Sequence, residues 1–505
     1  MTSVSRLAPA RSRLWLLAAV LLVAVYSLAR YGDAVGDFYF LDDFWLLHAA
    51  SRIAAGPPLA FFEIFQPTHA GFILYRPFTQ TGYFWLLVSL FGLDSGAAHA
   101  LQIAVFACNA VLVLLIATRQ LASPLAGLCV ALLYAAAPGH GAAVYWLAAY
   151  SMTGAALALF LLLWWWGRSS GRARLLGCTL LQVVALLCGE YGVAGVGLLV
   201  ALACFGARRE PWQRVARDLS GALLVVLAYA TAKLGSFVVR GPASFGYGVT
   251  ADPLVIVTNL GHYATATLNV LTFQLGAGAY APVGFLVLGL AGLSIGLAWS
   301  GFAAWRPVAL GTTLFVLGVG PVLLLANHYF DFFIGVAALG AAITCVGVAR
   351  LVARGRDWLA LVMTLVVLGI DARTADAAMR QNGVAVLVRN AARSGEALLT
   401  RLERLSKTLP QDAVFVMPKR GVMVSVFEQG NAQEVFFRPP LRVRLYDPLV
   451  GPRTADGDVV LSAPPPPSEE ATAPTFRRDA RYDWLRRGLS GLHQRYAQLQ
   501  AALAR

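Results

Sequence analysis

The stretch LWLLAAVLLVAVYSLARYGDAVGDFYFLDDFWLLHAA, residues 14–50, contains the two features that decide how this chain folds. Residues 14–30 are almost entirely apolar and approach the length of about 20 residues that crosses a bilayer. Two adjacent carboxylates, Asp42 and Asp43, follow within an aromatic and apolar run. Arginines precede the apolar run at Arg6, Arg11 and Arg13. Because loops rich in Arg stay cytoplasmic, this pattern predicts a signal anchor with a cytoplasmic N-terminus.

Long apolar runs with few charges recur along most of the 505 residues. The hydrophobic fraction is 58% and the charged fraction only 13%, whereas an ordinary soluble domain has about 25% charged residues. This composition excludes a soluble enzyme and a disordered chain, and it predicts a mainly α polytopic membrane protein. Eleven transmembrane helices are predicted, at about 14–30, 96–118, 124–138, 143–166, 174–188, 191–206, 219–239, 283–300, 308–326, 333–349 and 358–371.

The charges divide the chain into two parts. Residues 1–370 contain 20 Lys+Arg and 12 Asp+Glu, and residues 371–505 contain 20 and 14. We therefore predict a transmembrane domain over 1–372 and a small soluble α/β domain over 373–505. Within the second, the patterns predict helices and short strands at 376–408, 413–417, 421–427, 434–437, 441–446 and about 481–504. Most excess charge in the first part is arginine that sets topology, which disfavours nucleic-acid binding.

Basic clusters after the predicted spans fall on one side of the membrane if eleven spans are counted. That side is the cytoplasm, and the C-terminal domain then lies on the outer face. Residues 72–92 and 253–275 are also largely apolar. If either crossed the membrane, the later basic loops would lie on the outer side, so each is interpreted as an interfacial or re-entrant helix. The first outer loop covers about 31–95.

The Ala, Gly, Leu and Arg usage is typical of a GC-rich bacterium, so we expect a multi-pass protein of a bacterial inner membrane with a periplasmic C-terminal domain.

The outer face gathers acids, imidazoles and bases, which is what an active site at the interface needs. Asp42 and Asp43 form the sharpest feature, because a carboxylate among apolar residues suits general-base chemistry on a hydroxyl. A structural alternative is that Asp42 caps a helix beginning at Asp43. The pair and His48 are also a possible site for a divalent cation, although oxygen-rich metal sites usually recruit more ligands; no other cofactor is predicted.

Several segments, in order, resemble the membrane-embedded GT-C glycosyltransferases, most closely the protein O-mannosyltransferase-like branch of glycosyltransferase family 39 type. Residues 40–45 (FLDDFW) look like the acidic motif of the first outer loop, and 74–113 look like an Arg-Pro helix followed by a His-containing span. Further likenesses lie at 131–165, 186–200 and 327–340. Gly189 stands in place of a lysine in the Lys-Glu segment, and His328 stands where the family often has arginine.

The resemblance implies transfer of a sugar, with inversion, from a polyprenyl-phosphate carrier to a hydroxyl of a glycan, lipid or protein acceptor. An outer-loop Asp, Asp42 or Asp43, would be the base. The implied ligands of the donor phosphate are Arg76, Lys233, Arg240 and His328. The implied sugar or acceptor pocket contains His48, His140, Trp146, Glu190 and Tyr329.

Several of these residues have a structural alternative. Arg76 and Arg240 could snorkel to lipid headgroups, and His140 and Trp146 could anchor the interface. Glu190 could be a solvated turn residue, could contact the sugar or could pair with Lys233, whose charge within a span needs a partner. Two other functions stay open, a lipid or sugar transporter or flippase and a non-catalytic scaffold that keeps the fold.

Overall fold

The structure is a computed structural model. It describes residues 9–66, 75–240, 248–272, 279–326, 330–381 and 383–410, and, further along, residues 413–419, 426–427, 432–437, 440–446, 452, 458–461 and 479–504. Most described residues are helical, and one apolar core connects the helices.

The membrane half contains fifteen helices among the described residues. They are α1 (Pro9–Tyr31), α2 (Asp42–Ala55), α3 (Thr81–Phe91), α4 (Ser95–Leu121), α5 (Pro124–Ala136), α6 (His140–Tyr145), α7 (Tyr150–Arg168), α8 (Gly171–Cys188), α9 (Ala194–Phe205), α10 (Trp212–Arg240), α11 (Pro253–Thr272), α12 (Tyr280–Trp299), α13 (Arg306–Leu323), α14 (Ala337–Val352) and α15 (Trp358–Gln381). Local signals set several boundaries. The Asp94 carboxylate accepts a hydrogen bond from Ala97 N at the start of α4, and Ser123 does the same for Ala126 N at the start of α5, as N-cap residues do.

Each of the eleven predicted spans overlaps a helix, but the span predicted at 143–166 is interrupted, because α6 ends at Tyr145 and α7 begins at Tyr150. Seven helical segments of the described chain are long and apolar enough to cross a membrane, and four shorter apolar helices match the remaining predicted spans. The protein is therefore a multi-pass membrane protein of the mainly α class.

The two stretches set apart in the sequence are also helical. Residues 81–91 form the short helix α3, and residues 253–272 form α11. Asn259 of α11 donates hydrogen bonds at 2.9 Å to the carbonyls of Leu323 and Leu325. These carbonyls end α13, so α11 is fixed against the end of that helix.

The C-terminal part is a small α/β unit, as predicted. It contains α16 (Gly383–Ser406), β1 (Val414–Pro418), α17 (Ala432–Phe436), β2 (Arg442–Tyr446), β3 (Val459–Val460) and α18 (Asp483–Ala504). The three strands are parallel in the order β2-β1-β3, with Phe415 opposite both Val443 and Val459.

Two strand predictions in this unit are wrong. Residues 434–437 were expected to form a strand, but they lie in and just after the helix α17. Residues 426–427 have a π-helical conformation, and the rest of the predicted strand at 421–427 lies outside the described residues. A short apolar run has too few residues for its hydrophobic periodicity to distinguish a helix from a strand. The apolar side chains of both segments belong to the same buried core as the membrane half. The Phe436 ring, for example, packs 5.8 Å from Phe38.

The C-terminal unit is held to the membrane half by buried and half-buried ion pairs. Arg486 of α18 contacts Asp94 at 2.6 Å, and the two side chains are only 4% and 1% exposed. Arg389 of α16 contacts Asp33 at 2.9 Å and Asp37 at 3.1 Å. The predicted boundary near 372 falls inside the continuous helix α15, which carries the chain from one part into the other.

The Asp37 contact predicts a pH dependence of stability. Arg389, Arg393 and Asp33 face this carboxyl, yet burial dominates and raises its pKa from 3.8 to about 7. Because this acid binds its proton more tightly in the folded state, its stabilising contribution is present below about pH 4 and is lost as the pH rises through about 7. We expect the Tm of the detergent-purified protein to fall between about pH 4 and 7, and Asp37→Asn to remove that part of the slope. An unchanged slope in the variant would contradict the assignment.

Candidate active site

A cavity of about 480 Å³ opens between the segment around Asp42, the turn at Arg76 and the ends of several apolar helices. Its charged lining residues are Asp42, Arg76 and Glu190. The remaining walls are mainly apolar and aromatic, and they include Trp45, Trp146, Leu325, Phe330, Phe332 and Phe333. A cavity of this size with few convergent polar groups is typical of a small-molecule or cofactor site.

Asp42 enters the cavity from the first turn of α2. The residue before it, Leu41, has a φ of 45°, a left-handed conformation that is uncommon for a residue with a side chain. Such backbone strain is concentrated at functional sites in proteins. The turn places both Leu41 and Asp42 on the cavity wall.

Asp43 has a different position. It is 1% exposed, and its two carboxylate oxygens accept hydrogen bonds from Phe40 N at 2.8 Å and Ala148 N at 2.6 Å. Burial raises the pKa of this carboxyl well above its ordinary value. Asp43 therefore joins the start of α2 to the segment before α7 and does not line the cavity.

The capping alternative for Asp42 is wrong in its detail. The helix begins at Asp42, Leu41 occupies the N-cap position, and no side chain caps this end. The carboxylate that reaches back to the preceding main chain is that of Asp43. The two neighbouring acids thus separate into one that faces the cavity and one that holds the loop.

This separation predicts a loss of stability when Asp43 is changed and almost none when Asp42 is changed. In Asp43→Asn one oxygen becomes an amide NH₂, which cannot accept from Phe40 N or Ala148 N. We expect a loss of about 1–3 kcal/mol, the cost of leaving a buried donor unpaired. The matched change Asp42→Asn should leave the Tm of the purified protein within about 1 °C of wild type, because surface-like positions cost little. Equal losses of Tm in the two variants would contradict the separation.

Opposite the acids, two cations share one carboxylate. Arg76 Nε donates to Glu190 Oε2 at 2.7 Å, and Lys233 Nζ donates to Glu190 Oε1 at 3.0 Å. Arg76 also donates to Ser151 Oγ at 3.3 Å. Of the three alternatives for Glu190, the structure shows the pairing with Lys233. Lys233 itself does not line the cavity, and it reaches the site through Glu190.

Gly189 explains how the group is arranged. The lysine that the sequence resemblance expects before Glu190 is absent, and the ammonium beside Glu190 comes from Lys233 of α10 instead. A Cβ at position 189 would lie only 3.7 Å from the Arg76 side chain. A long side chain at this position would compete with Arg76 for the space beside Glu190.

Two predicted pocket residues lie elsewhere. His140 is buried between the rings of Tyr134 and Phe106, at 4.6 and 5.0 Å, and burial lowers its pKa to about 3. It is a neutral core residue that does not line the cavity. His48 points to the C-terminal unit, where its Nδ1 lies 3.6 Å from Glu434 Oε2.

These positions also bear on the possible metal site. Among the described residues, no three His, Cys, Asp or Glu side chains are grouped to hold a metal ion. Asp42, Asp43 and His48 face the cavity, the loop main chain and the C-terminal unit respectively. Asp42, Asp43 and His48 therefore do not fit a divalent cation. Arg240's side chain and the whole of His328 and Tyr329 lie outside the described residues.

The sequence did not reveal other members of the cavity wall. Gln80 and Ser151 supply neutral polar groups beside Arg76, and Phe330, Phe332 and Phe333 supply an aromatic wall. The signal for Gln80 was its place one helical turn after Arg76. Trp146 was expected at the pocket and does line it; its indole N–H is buried without a hydrogen-bond acceptor among the described residues.

No family model and no curated protein matches the chain. Among solved structures it is similar to that of ArnT from Cupriavidus metallidurans bound to undecaprenyl phosphate. The two share 14% sequence identity with a TM-score of 0.44 over 86% of each chain. A similarity of this size does not by itself assign an activity or a ligand.

Proposed function

We propose that the protein is an integral membrane glycosyltransferase that moves a hexose from a polyprenyl-phosphate carrier to a hydroxyl acceptor. One observation carries the proposal. A single cavity brings the Asp42 carboxylate together with the Arg76–Glu190–Lys233 group, and apolar and aromatic side chains line the rest of it. The GT-C-like sequence segments point to the same residues, and the protein O-mannosyltransferase-like branch supplies the proposed reaction type.

The cation group suits the phosphate of the donor. Arg76, Lys233 and Glu190 together carry one net positive charge, so Glu190 holds two cations close to each other without full repulsion. Arg76 lies on the cavity wall, and a guanidinium binds phosphate oxygens through two parallel hydrogen bonds. Arg76 would contact the phosphate directly, while Glu190 and Lys233 would position it.

The apolar walls suit the lipid part of the donor. Leu324, Leu325 and Val322 at the end of α13 line the cavity beside the Phe330–Phe333 segment. These helix ends belong to a bundle that contains helices long and apolar enough to cross a membrane. A polyprenyl chain could therefore lie along apolar side chains while its phosphate reaches Arg76.

Asp42 would act as the base. It takes the proton of the acceptor hydroxyl as the acceptor oxygen bonds to C1 of the sugar. The bond between C1 and the phosphate oxygen breaks with inversion, and polyprenyl phosphate leaves as an anion. The leaving group needs no proton because Arg76 stabilises its negative charge.

The proposed location follows the arginine pattern of the inner loops. The N-terminus lies in the cytoplasm, and the cavity and the C-terminal unit lie on the outer face of a bacterial inner membrane. The contacts of Arg389 with Asp33 and Asp37 support placing the C-terminal unit on the same side as the first outer loop.

A transfer assay in liposomes separates this proposal from a transporter and from a scaffold. Purified protein is reconstituted with a radiolabelled polyprenyl-phosphate hexose and an extract of outer-face acceptors. We expect labelled acceptor and free polyprenyl phosphate in equal amounts. Movement of the label across the bilayer without product would favour a flippase, and neither result would favour a scaffold.

A further inference from the structure

A second cavity of about 190 Å³ lies at the opposite end of the bundle from the candidate active site. It is formed where α1 begins and where α4 and α7 end, and Leu16, Arg119 and Arg168 line it from these three helices. The arginine pattern predicts that this end faces the cytoplasm.

The cavity has an apolar side and a cationic side. Leu16, Leu115, Ile116 and Leu163 form the apolar wall. Arg119 and Arg168 form the other wall, and the Arg168 guanidinium lies 5.4 Å from the centre of the Trp164 ring. A tryptophan and an arginine at the end of a span are typical of the level of the lipid headgroups.

Other arginines at this end are used within the protein. Arg174 pairs with Glu210 at 2.6 Å, Arg350 pairs with Asp357 at 2.9 Å, and Arg306 donates to the Gly206 carbonyl at 2.9 Å. Among the residues that the structure describes, neither Arg119 nor Arg168 forms an ion pair with a carboxylate.

Other arginines lie near Arg119. Arg168, Arg174 and Arg208 all lie close enough to act on it electrostatically. Glu210 and Asp218 are already engaged by Arg174 and Arg217. An anion at the Arg119–Arg168 wall would therefore be attracted by these arginines. The nearby carboxylates Glu210 and Asp218 would repel it little, because each is already paired with an arginine.

We propose that this cavity binds an anionic glycerophospholipid of the cytoplasmic leaflet, with its phosphate at Arg119 and Arg168 and an acyl chain against Leu16, Leu115 and Leu163. A basic pocket between transmembrane helices on the cytoplasmic side is suited to such a headgroup. The apolar wall selects a membrane lipid over a soluble phosphate, because only the lipid covers both sides of the cavity. The site is independent of the proposed transfer reaction.

Native mass spectrometry of the full chain in detergent tests the proposal. The protein is incubated with phosphatidylglycerol or with phosphatidylcholine of the same acyl chains, and the retained lipid is counted. We expect the wild type to retain phosphatidylglycerol preferentially. The double variant Arg119→Gln, Arg168→Gln should lose that preference by roughly 30-fold, the order expected for two arginines at an anionic headgroup.

Two controls keep the result unambiguous. Arg172→Gln removes an exposed arginine at the same end that does not line the cavity, and it should retain the lipid as the wild type does. Arg168 is also exposed, so Arg168→Gln alone gives a several-fold loss should the double variant not fold. Equal retention of the two lipids by the wild type, an equal loss in Arg172→Gln, or displacement of the lipid by the same concentration of inorganic phosphate would each overturn the proposal.

Discussion

Asp42→Asn is expected to lower the rate of sugar transfer by about 10²- to 10⁴-fold, the contribution of a positioned general base. Asparagine has nearly the shape of aspartate, but it cannot take the proton of the acceptor hydroxyl. Asp42 lines the cavity at the start of α2, whereas the neighbouring Asp43 is held by two main-chain donors. The effect should therefore appear in kcat with little change in KM for the donor. The measurement is initial rates with a radiolabelled polyprenyl-phosphate hexose.

The matched control is Glu63→Gln, an acid in the same outer segment that does not line the cavity. It should keep the wild-type rate. The chromatographic profile and Tm of Asp42→Asn should also match the wild type. A folded Asp42→Asn protein with full activity would remove Asp42 from the role of base.

Arg76→Gln should reduce kcat/KM by about 10²- to 10³-fold, the scale of losing one preorganised donor to a developing negative charge. Arg76 is the cation of the shared group that lies on the cavity wall, and Glu190 orients it at 2.7 Å. Both binding of the donor and departure of polyprenyl phosphate depend on this charge. We therefore expect KM to rise and kcat to fall together, unlike the result for Asp42.

Arg76→Lys gives a second test, because it keeps the charge and loses the two-pronged geometry. It should recover only part of the activity. Arg52→Gln removes an exposed arginine of α2 that does not line the cavity and should behave as wild type. A wild-type KM for the donor in Arg76→Gln would place the phosphate elsewhere.

The membrane fold was largely predictable because its signal is local. Apolar runs such as 14–30 and 96–118 reveal spans without knowledge of their neighbours. The role of the helix α11 at 253–272 could not be predicted in this way. Its polar Asn259 donates hydrogen bonds to the carbonyls of Leu323 and Leu325, and nothing in the sequence connects positions so far apart.

The candidate site was predictable only as a set of residue types. The sequence pointed to both Asp42 and Asp43, but the distinction between them depends on Ala148 N, which is brought to Asp43 by the fold. His140 had the same local signals as a pocket residue, yet the rings of Tyr134 and Phe106 enclose it. The pairing of Glu190 with Lys233 was one of three possibilities, and only the packing of α10 beside α8 decides it.

The attachment of the C-terminal unit was missed altogether. Arg389 and Arg486 looked like ordinary surface arginines of polar helices, and their partners Asp33, Asp37 and Asp94 looked like loop acids. These contacts join residues hundreds of positions apart. Charge complementarity across such distances is not visible in a single sequence.

The most direct test of the central claim is an experimental structure of the wild-type protein with a non-hydrolysable polyprenyl-phosphate hexose. The account predicts the donor phosphate within hydrogen-bond distance of Arg76, the sugar C1 on the side of the cavity that Asp42 lines, and the polyprenyl chain along the apolar wall near Leu325 and Phe330. A donor bound near the bilayer midplane, or with its phosphate away from Arg76, would contradict it.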